Sequence, residues 1–256
     1  APAYFRDKPL THNYDHLSDE VIRESRRRYY GQISHIDYQL GRLLGELRTR
    51  GLYDDTAIVF TADHGEHLGD HGVFSKTTYL AGSGMVPLVM RLPRGADVAR
   101  PALRLDAAVM TADICPTLLG LAGLEPDAET DGISLLPALA AGGLGPRTIC
   151  GECGPHAFAT DGAHKYLYYR KRGHEQLFDC LNDPDDLHDL SQSPDGQEPK
   201  RRLRTALVEH LSKHGSPLVE KGQLVASDHD PDEHALRATN PFAWRGPMRH
   251  GRGYNG

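Results

Sequence analysis

The strongest constraint on this chain is a short apolar run, Ala57-Ile58-Val59-Phe60-Thr61, which leads straight into Ala62-Asp63-His64-Gly65-Glu66-His67-Leu68-Gly69-Asp70-His71-Gly72. A β-branched, almost wholly apolar run of this length is what a strand buried on both faces needs. A long helical pattern precedes it. Tyr29, Ile33, Ile36, Leu40, Leu43 and Leu47 form one apolar stripe, predicting a core-facing helix over about 18–50 with Ser18 as N-cap and Gly51 as terminator. Helix followed by buried strand predicts an α/β sheet of parallel strands, where ligands sit beyond the carboxyl ends of the strands. Asp63 and His64 therefore stand where topology places function, and Gly65 lets the backbone turn close to whatever they hold.

The rest of the chain extends that pattern. Pro87-Leu88-Val89-Met90-Arg91-Leu92 predicts a second strand beside the first, closed by Pro93-Arg94-Gly95. Residues 105–122 are apolar enough for a packed helix, with Pro116 as a kink or a fresh helix start. Past about residue 145 the pattern alternates: 165–169 and 176–179 predict two antiparallel strands joined around Arg172-Gly173, and an amphipathic helix follows near 197–214. Residues 1–17 and 227–256 are aperiodic; the latter reads first as a frayed terminus, with docking on an active-site rim or a neighbouring subunit through Trp244, beside Arg245, Arg249 and Arg252, as the alternative.

Composition excludes several classes. A net charge of −6 argues against a nucleic-acid surface, and no apolar run is long enough to span a membrane. Four cysteines are too few for a disulfide scaffold. The chain begins at Ala1 with no signal-peptide pattern, which points to a piece of something longer and leaves localisation unknown.

A lone Asp-His pair is more often a helix cap beside a surface histidine. Here three glycines, three histidines and three acids fall within ten residues of a strand end, which capping alone does not explain. His64, His67 and His71 would line one helical face able to bind Zn²⁺, but Gly65, Gly69 and Gly72 argue against a helix. A non-catalytic zinc-binding protein using Asp63, His64, His67 and His71 stays open as an alternative. Cys150-Gly151-Glu152-Cys153 lacks a second pair for zinc, and Asp183-Pro184-Asp185-Asp186 reads as a solvated turn rather than a calcium loop.

The stretch Thr61-Ala62-Asp63-His64-Gly65, then Gly69-Asp70-His71-Gly72 and Lys76, resembles the C-terminal metal-binding motif of the sulfatase family of the alkaline-phosphatase superfamily. Arg28-Tyr29-Tyr30-Gly31, Val86-Pro87-Leu88-Val89, Asp113 to Leu119, Asp131 to Pro137, Lys165-Tyr166 and Leu177-Phe178-Asp179 resemble further family segments in the right order. The likeness covers roughly residues 20–190.

The resemblance implies an α/β fold with an alkaline-phosphatase-like sheet flanked by helices and a small C-terminal antiparallel subdomain. It divides the chain into 1–145 as the C-terminal part of the core, 146–226 as an α+β subdomain, and 227–256 as a tail. It implies a metal-dependent sulfuric ester hydrolase, with a phosphonate or phosphate ester hydrolase as the alternative. One divalent cation, Ca²⁺ first and Mn²⁺ or Zn²⁺ as alternatives, would be held by Asp63 and His64, and Lys76 would be catalytic, contacting the anion. The partner is a small anionic ester, without nucleic acid or membrane, and homo-oligomer formation is open. The family nucleophile is a cysteine converted to formylglycine, and it lies before the Asp-His-Gly stretch. No cysteine precedes Cys115, and Cys153-Gly154-Pro155-His156-Ala157 lies on the wrong side of the motif and lacks its arginine. The expectation is therefore the C-terminal half of a sulfatase, an incomplete fold, inactive alone because nucleophile and first metal ligands belong to an absent half.

Overall fold

The structure is a computed structural model that describes residues 17–76, 78–96, 104–126 and 130–227. The tail expectation resting on Trp244, Arg245, Arg249 and Arg252 falls outside these residues.

Helix α1 spans Asp19–Thr49. The Ser18 hydroxyl oxygen accepts the Val21 N–H, Asp19 and Glu20 meet the positive end of the helix, and Gly51 takes the left-handed conformation just past its end. The ends are as expected, but the stripe is not core: no α1 residue is buried, and Ile33, Ile36 and Leu43 stay exposed. A stripe marks the apolar side of a helix; it does not supply the partner that covers it.

Strand β1 (Ile58–Thr61) pairs with β2 (Leu88–Arg91) in antiparallel register, with Phe60 opposite Val89. Two expectations are corrected here. The pairing is not parallel, and neither strand is buried on both faces, since Phe60 and Val89 are exposed together. A short helical turn α2 (Ala81–Gly84) precedes β2. Helix α3 (Ile114–Leu121) has Pro116 in its first turn, so the proline begins a helix rather than kinking a longer one. Helix α4 spans Leu136–Ala141.

Strands β3 (Ile149–Cys153), β4 (His156–Thr160), β5 (His164–Tyr169) and β6 (His174–Asp179) form an antiparallel meander in sequence order. Arg172 and Gly173, both at positive φ, make the tight β5–β6 turn. Helix α5 (Gln197–Lys213) follows, then the hairpin of β7 (Val219–Glu220) and β8 (Gln223–Leu224).

The meander has two packed faces, and this positions the site. Ala157, Ala159, Tyr166, Tyr168 and Leu177 face Leu203, Leu207 and Leu211 of α5. The intervening residues Leu167, Tyr169 and Phe178 face the other way, onto Val73 and Leu80 from the segment between β1 and β2. The period-two alternation of strands thus gives one sheet a helix on one side and the glycine-rich loop on the other. Burying each such leucine or aromatic contributes about 1.5–3 kcal/mol.

Candidate functional site

The loop leaving β1 carries the chemistry, and its course is held from several sides. Gly65 packs so close to α2 that a Cβ there would stand 2.2 Å from the Gly82 carbonyl oxygen, while its own N–H donates to Ser83 O at 2.8 Å. Glycine is required at 65 by this approach to the chain's own backbone. The Glu66 carboxylate accepts the N–H groups of Ser75 at 2.5 Å and Leu68 at 3.3 Å, closing the loop on itself. Leu68, His71 and Ser75 sit at φ of 51, 56 and 70°, in the left-handed region. Each such non-glycine residue costs on the order of 1–3 kcal/mol and persists only where its surroundings over-determine it.

Those surroundings can be named. Arg26 of α1 donates to Leu68 O at 2.9 Å and pairs with Asp70 at 2.7 Å. His71 Nε2 donates to the Asp185 carbonyl at 3.0 Å, which tethers the loop to the turn after β6. Asp186 of that turn, 3% exposed, accepts the Ala81 N–H at 2.6 Å and the Lys165 ammonium at 2.5 Å. The reading of 183–186 as a solvated turn holds at Pro184 and Asp185, which are exposed, and is corrected at Asp186. The run brackets the site loop against β5.

At the end of β1, Asp63 Oδ2 lies 3.4 Å from His64 Nε2. His64 Nδ1 stands 2.8 Å from Gly65 O, and a carbonyl can only accept, so Nδ1 carries the proton. The Lys76 ammonium lies against Nε2, and an ammonium can only donate, so the same tautomer is fixed a second time. The ring therefore turns its Nε2 lone pair towards Lys76, next to a carboxylate whose side chain is 84% exposed. A metal-binding histidine is organised in this way, its other nitrogen anchored to a backbone carbonyl. The structure brings the three sequence-expected side chains to one corner, and Asp63 and His64 fit a divalent cation once the flexible Lys76 ammonium swings off Nε2 towards the anion.

The four-ligand zinc alternative does not assemble. His67 is fully buried, its Nε2 engaged with Thr78 Oγ1 at 2.9 Å, and the Nε2 of His71 is engaged with Asp185. Among the described residues the one group of three such side chains whose donor atoms lie within 4.8 Å of one another is Asp131, His210 and His214. Sequence reasoning missed it, although the i, i+4 spacing of the two histidines on the amphipathic helix was visible. Cys150 and Cys153 are free on β3, and burial pushes the Cys150 thiol up to about 12, which keeps it protonated and unreactive.

Burial, then the neighbouring His71, lower the pKa of His67 to about 4 from 6.5, so it is neutral in the folded protein at neutral pH. Between pH 6.5 and about 4 the unfolded chain holds the extra proton, so acidification across this window destabilises the fold by up to about 1.4 kcal/mol per pH unit from this group. Urea unfolding from pH 7 to 4 should show a shallower dependence in His67→Gln than in the parent protein. Identical slopes would remove His67 from the account.

The sulfatase family model matches residues 2–124. Those residues are similar to a sulfatase domain. An arylsulfatase of Clostridium perfringens is 31% identical over 217 residues, covering 82% of this chain and 44% of the relative. A choline-sulfatase of Rhizobium meliloti is 34% identical over 192 residues, covering 72% of this chain and 36% of the relative. The solved phosphonate monoester hydrolase of Silicibacter pomeroyi superposes with a TM-score of 0.67 at 25% identity, over 83% of this chain and 47% of that one. The chain thus spans less than half the length of these relatives. Solved sulfatase-like structures share the fold, an alkaline-phosphatase-like α/β core flanked by helices with a small antiparallel part towards the C-terminus.

The sulfatase match corrects one reading of the sequence. It falls on the first half of this chain, so the sulfatase domain is not confined to a C-terminal half. The assignment of the nucleophile to a separate, absent half goes with that reading, and so does the ground for expecting the chain to be inactive. The homology supports an ester-hydrolase fold. Among the described residues no helix is long and apolar enough to cross a membrane.

Proposed function

We propose that Asp63, His64 and Lys76 form the cation- and anion-binding corner of an ester hydrolase acting on small anionic esters, sulfate esters first. The observation that carries this is the doubly fixed tautomer of His64, whose Nε2 lone pair faces Asp63 and Lys76 at a strand end. Asp63 and His64 would hold one divalent cation. A carboxylate suits Ca²⁺, while the imidazole keeps Mn²⁺ and Zn²⁺ as alternatives. When bound, such an ion polarises the ester's oxygens. Gly65 O keeps the His64 proton on Nδ1, so the ring faces the cation as a neutral donor. Lys76, exposed on its four-carbon stem, supplies positive charge to the oxygens of the anion and of the leaving group. The sulfatase relatives support sulfate; the likeness to a phosphonate monoester hydrolase supports a phosphonate or phosphate ester as the second reading.

Lys76→Ala should lower kcat/KM towards an aryl sulfate by about 100-fold or more, the cost of losing a preorganised electrostatic partner. It should also weaken binding of inorganic sulfate to the chain, whereas Asp63→Asn should weaken Ca²⁺ and Mn²⁺ binding, both read by calorimetry without turnover. Unchanged sulfate affinity in Lys76→Ala, together with unchanged cation affinity in Asp63→Asn, would refute the assignment. Parallel assays with an aryl phosphonate decide between the two ester classes.

A further inference from the structure

A second set of metal-type side chains lies away from the β1 corner, at the far end of α5. His210 is in the last turn of that helix, and His214 is its C-cap residue, one turn further on, so the two imidazoles lie side by side, tilted by 43° with centroids 4.5 Å apart. The i, i+4 spacing puts them on one helical face. Asp131, from the loop before α4, reaches this face and brings Oδ1 to 3.3 Å from His214 Nε2. Donor atoms of all three side chains lie within 4.8 Å of one another.

We propose that Asp131, His210 and His214 bind a transition-metal ion of the Zn²⁺ class, tying the 131 loop to the end of α5. Two donors each about 2.0–2.1 Å from a tetrahedral zinc stand about 3.3 Å apart, the separation found between Asp131 and His214. The donor set is two imidazoles and one carboxylate, which favours zinc or its neighbours over Ca²⁺ or Mg²⁺, whose sites are built from oxygen. Two imidazoles converge on the one carboxylate, so all three side chains can turn their donor atoms to a single shared cation. The position also suits a cation, because unpaired carbonyls give a helix C-terminus partial negative charge. Asp131 and His214 are exposed and His210 is half-buried, so an ion can enter from solvent and keep water in its open coordination position. Sequence separation gives the site its consequence. Residues 131 and 210 belong to segments joined through the whole antiparallel sheet, and an ion between them would cross-link the α3–α4 region to the helix that backs that sheet.

The test uses the full 256-residue chain, free of a histidine tag and treated with chelator, titrated with ZnCl₂ by calorimetry and with CoCl₂ by visible absorption. The expected result is one zinc retained in Asp63→Asn and His64→Gln, with affinity at least tenfold weaker in His210→Gln, His214→Gln and Asp131→Asn. Zinc should raise the melting temperature of the parent protein and of His64→Gln, but not of His214→Gln. Far-UV circular dichroism checks that α5 still forms, and His214→Gln, at an exposed helix end, keeps the test open should His210→Gln misfold. No zinc binding beyond what the β1-corner variants abolish, or equal affinity in parent and His214→Gln, would overturn the site. Neither outcome bears on the ester-hydrolase reading, which rests on different residues.

Discussion

Asp186→Ala is expected to lower the free energy of unfolding by about 3–5 kcal/mol, because it strands a buried lysine without its counter-charge. Lys165 and Asp186 are both buried and meet at 2.5 Å, and Asp186 also takes the Ala81 N–H at 2.6 Å. Removing the carboxylate leaves an ammonium in a dry site and an unpaired backbone donor at the start of α2. Breaking one side of such a pair is far more costly than replacing both sides. Lys165→Met combined with Asp186→Ala should therefore recover part of the loss, leaving mainly the orphaned Ala81 N–H at about 1–3 kcal/mol. Urea unfolding of the parent, both single variants and the double variant measures the coupling. An Asp186→Ala loss below about 1 kcal/mol, or a double variant as unstable as the sum of the singles, would mean that Lys165 finds solvent or another partner.

The Asp186 case also marks where the sequence stopped being legible. Asp63, His64 and Lys76 could be read because a run of ligand-type residues at the end of an apolar strand has few structural explanations, and the structure draws them together. Asp186 could not, since Asp183-Pro184-Asp185-Asp186 has the composition of an ordinary turn, and only the fold shows it meeting Lys165 from twenty-one residues earlier. Strands β3 and β4 escaped for a related reason. Their α5-facing positions are Cys150, Ala157 and Ala159, small residues chosen by the closeness of the helix, so large-residue alternation never develops. The stripe of α1 shows the opposite failure: the periodicity and caps were right, but periodicity does not say what covers Ile33, Ile36 and Leu43. The Asp131, His210 and His214 cluster needs the fold as well, because its carboxylate and its imidazoles are some eighty residues apart in sequence.

Gly65→Ala should disable the β1 corner without touching any side chain that carries its chemistry. The added Cβ would stand 2.2 Å from Gly82 O, 3.1 Å from Gly82 C and 3.4 Å from Met85 O, all backbone atoms that no rotamer change can move aside. Comfortable carbon–oxygen separation is about 3.3 Å or more, so the β1 loop and α2 must part by roughly 1 Å. That movement breaks the Gly65 N–H bond to Ser83 O and shifts Gly65 O, the acceptor holding the His64 proton on Nδ1. His64 then loses both its fixed tautomer and its placement beside Asp63 and Lys76. A displacement of this size in a positioned group costs on the order of 100-fold in activity. The overpacking itself should lower stability by about 1–3 kcal/mol. Gly82→Ala is the matched comparison: its Cβ would meet His67 Nδ1 at 3.1 Å and His67 Cα at 3.3 Å, contacts a few tenths of an ångström can relieve. It should therefore leave cation and sulfate affinity closer to the parent. If Gly65→Ala bound cation and sulfate as tightly as Gly82→Ala does, the backbone approach at 65 would not be what sets the corner, and the source of its geometry would have to lie with Glu66 and the Arg26 bracket instead.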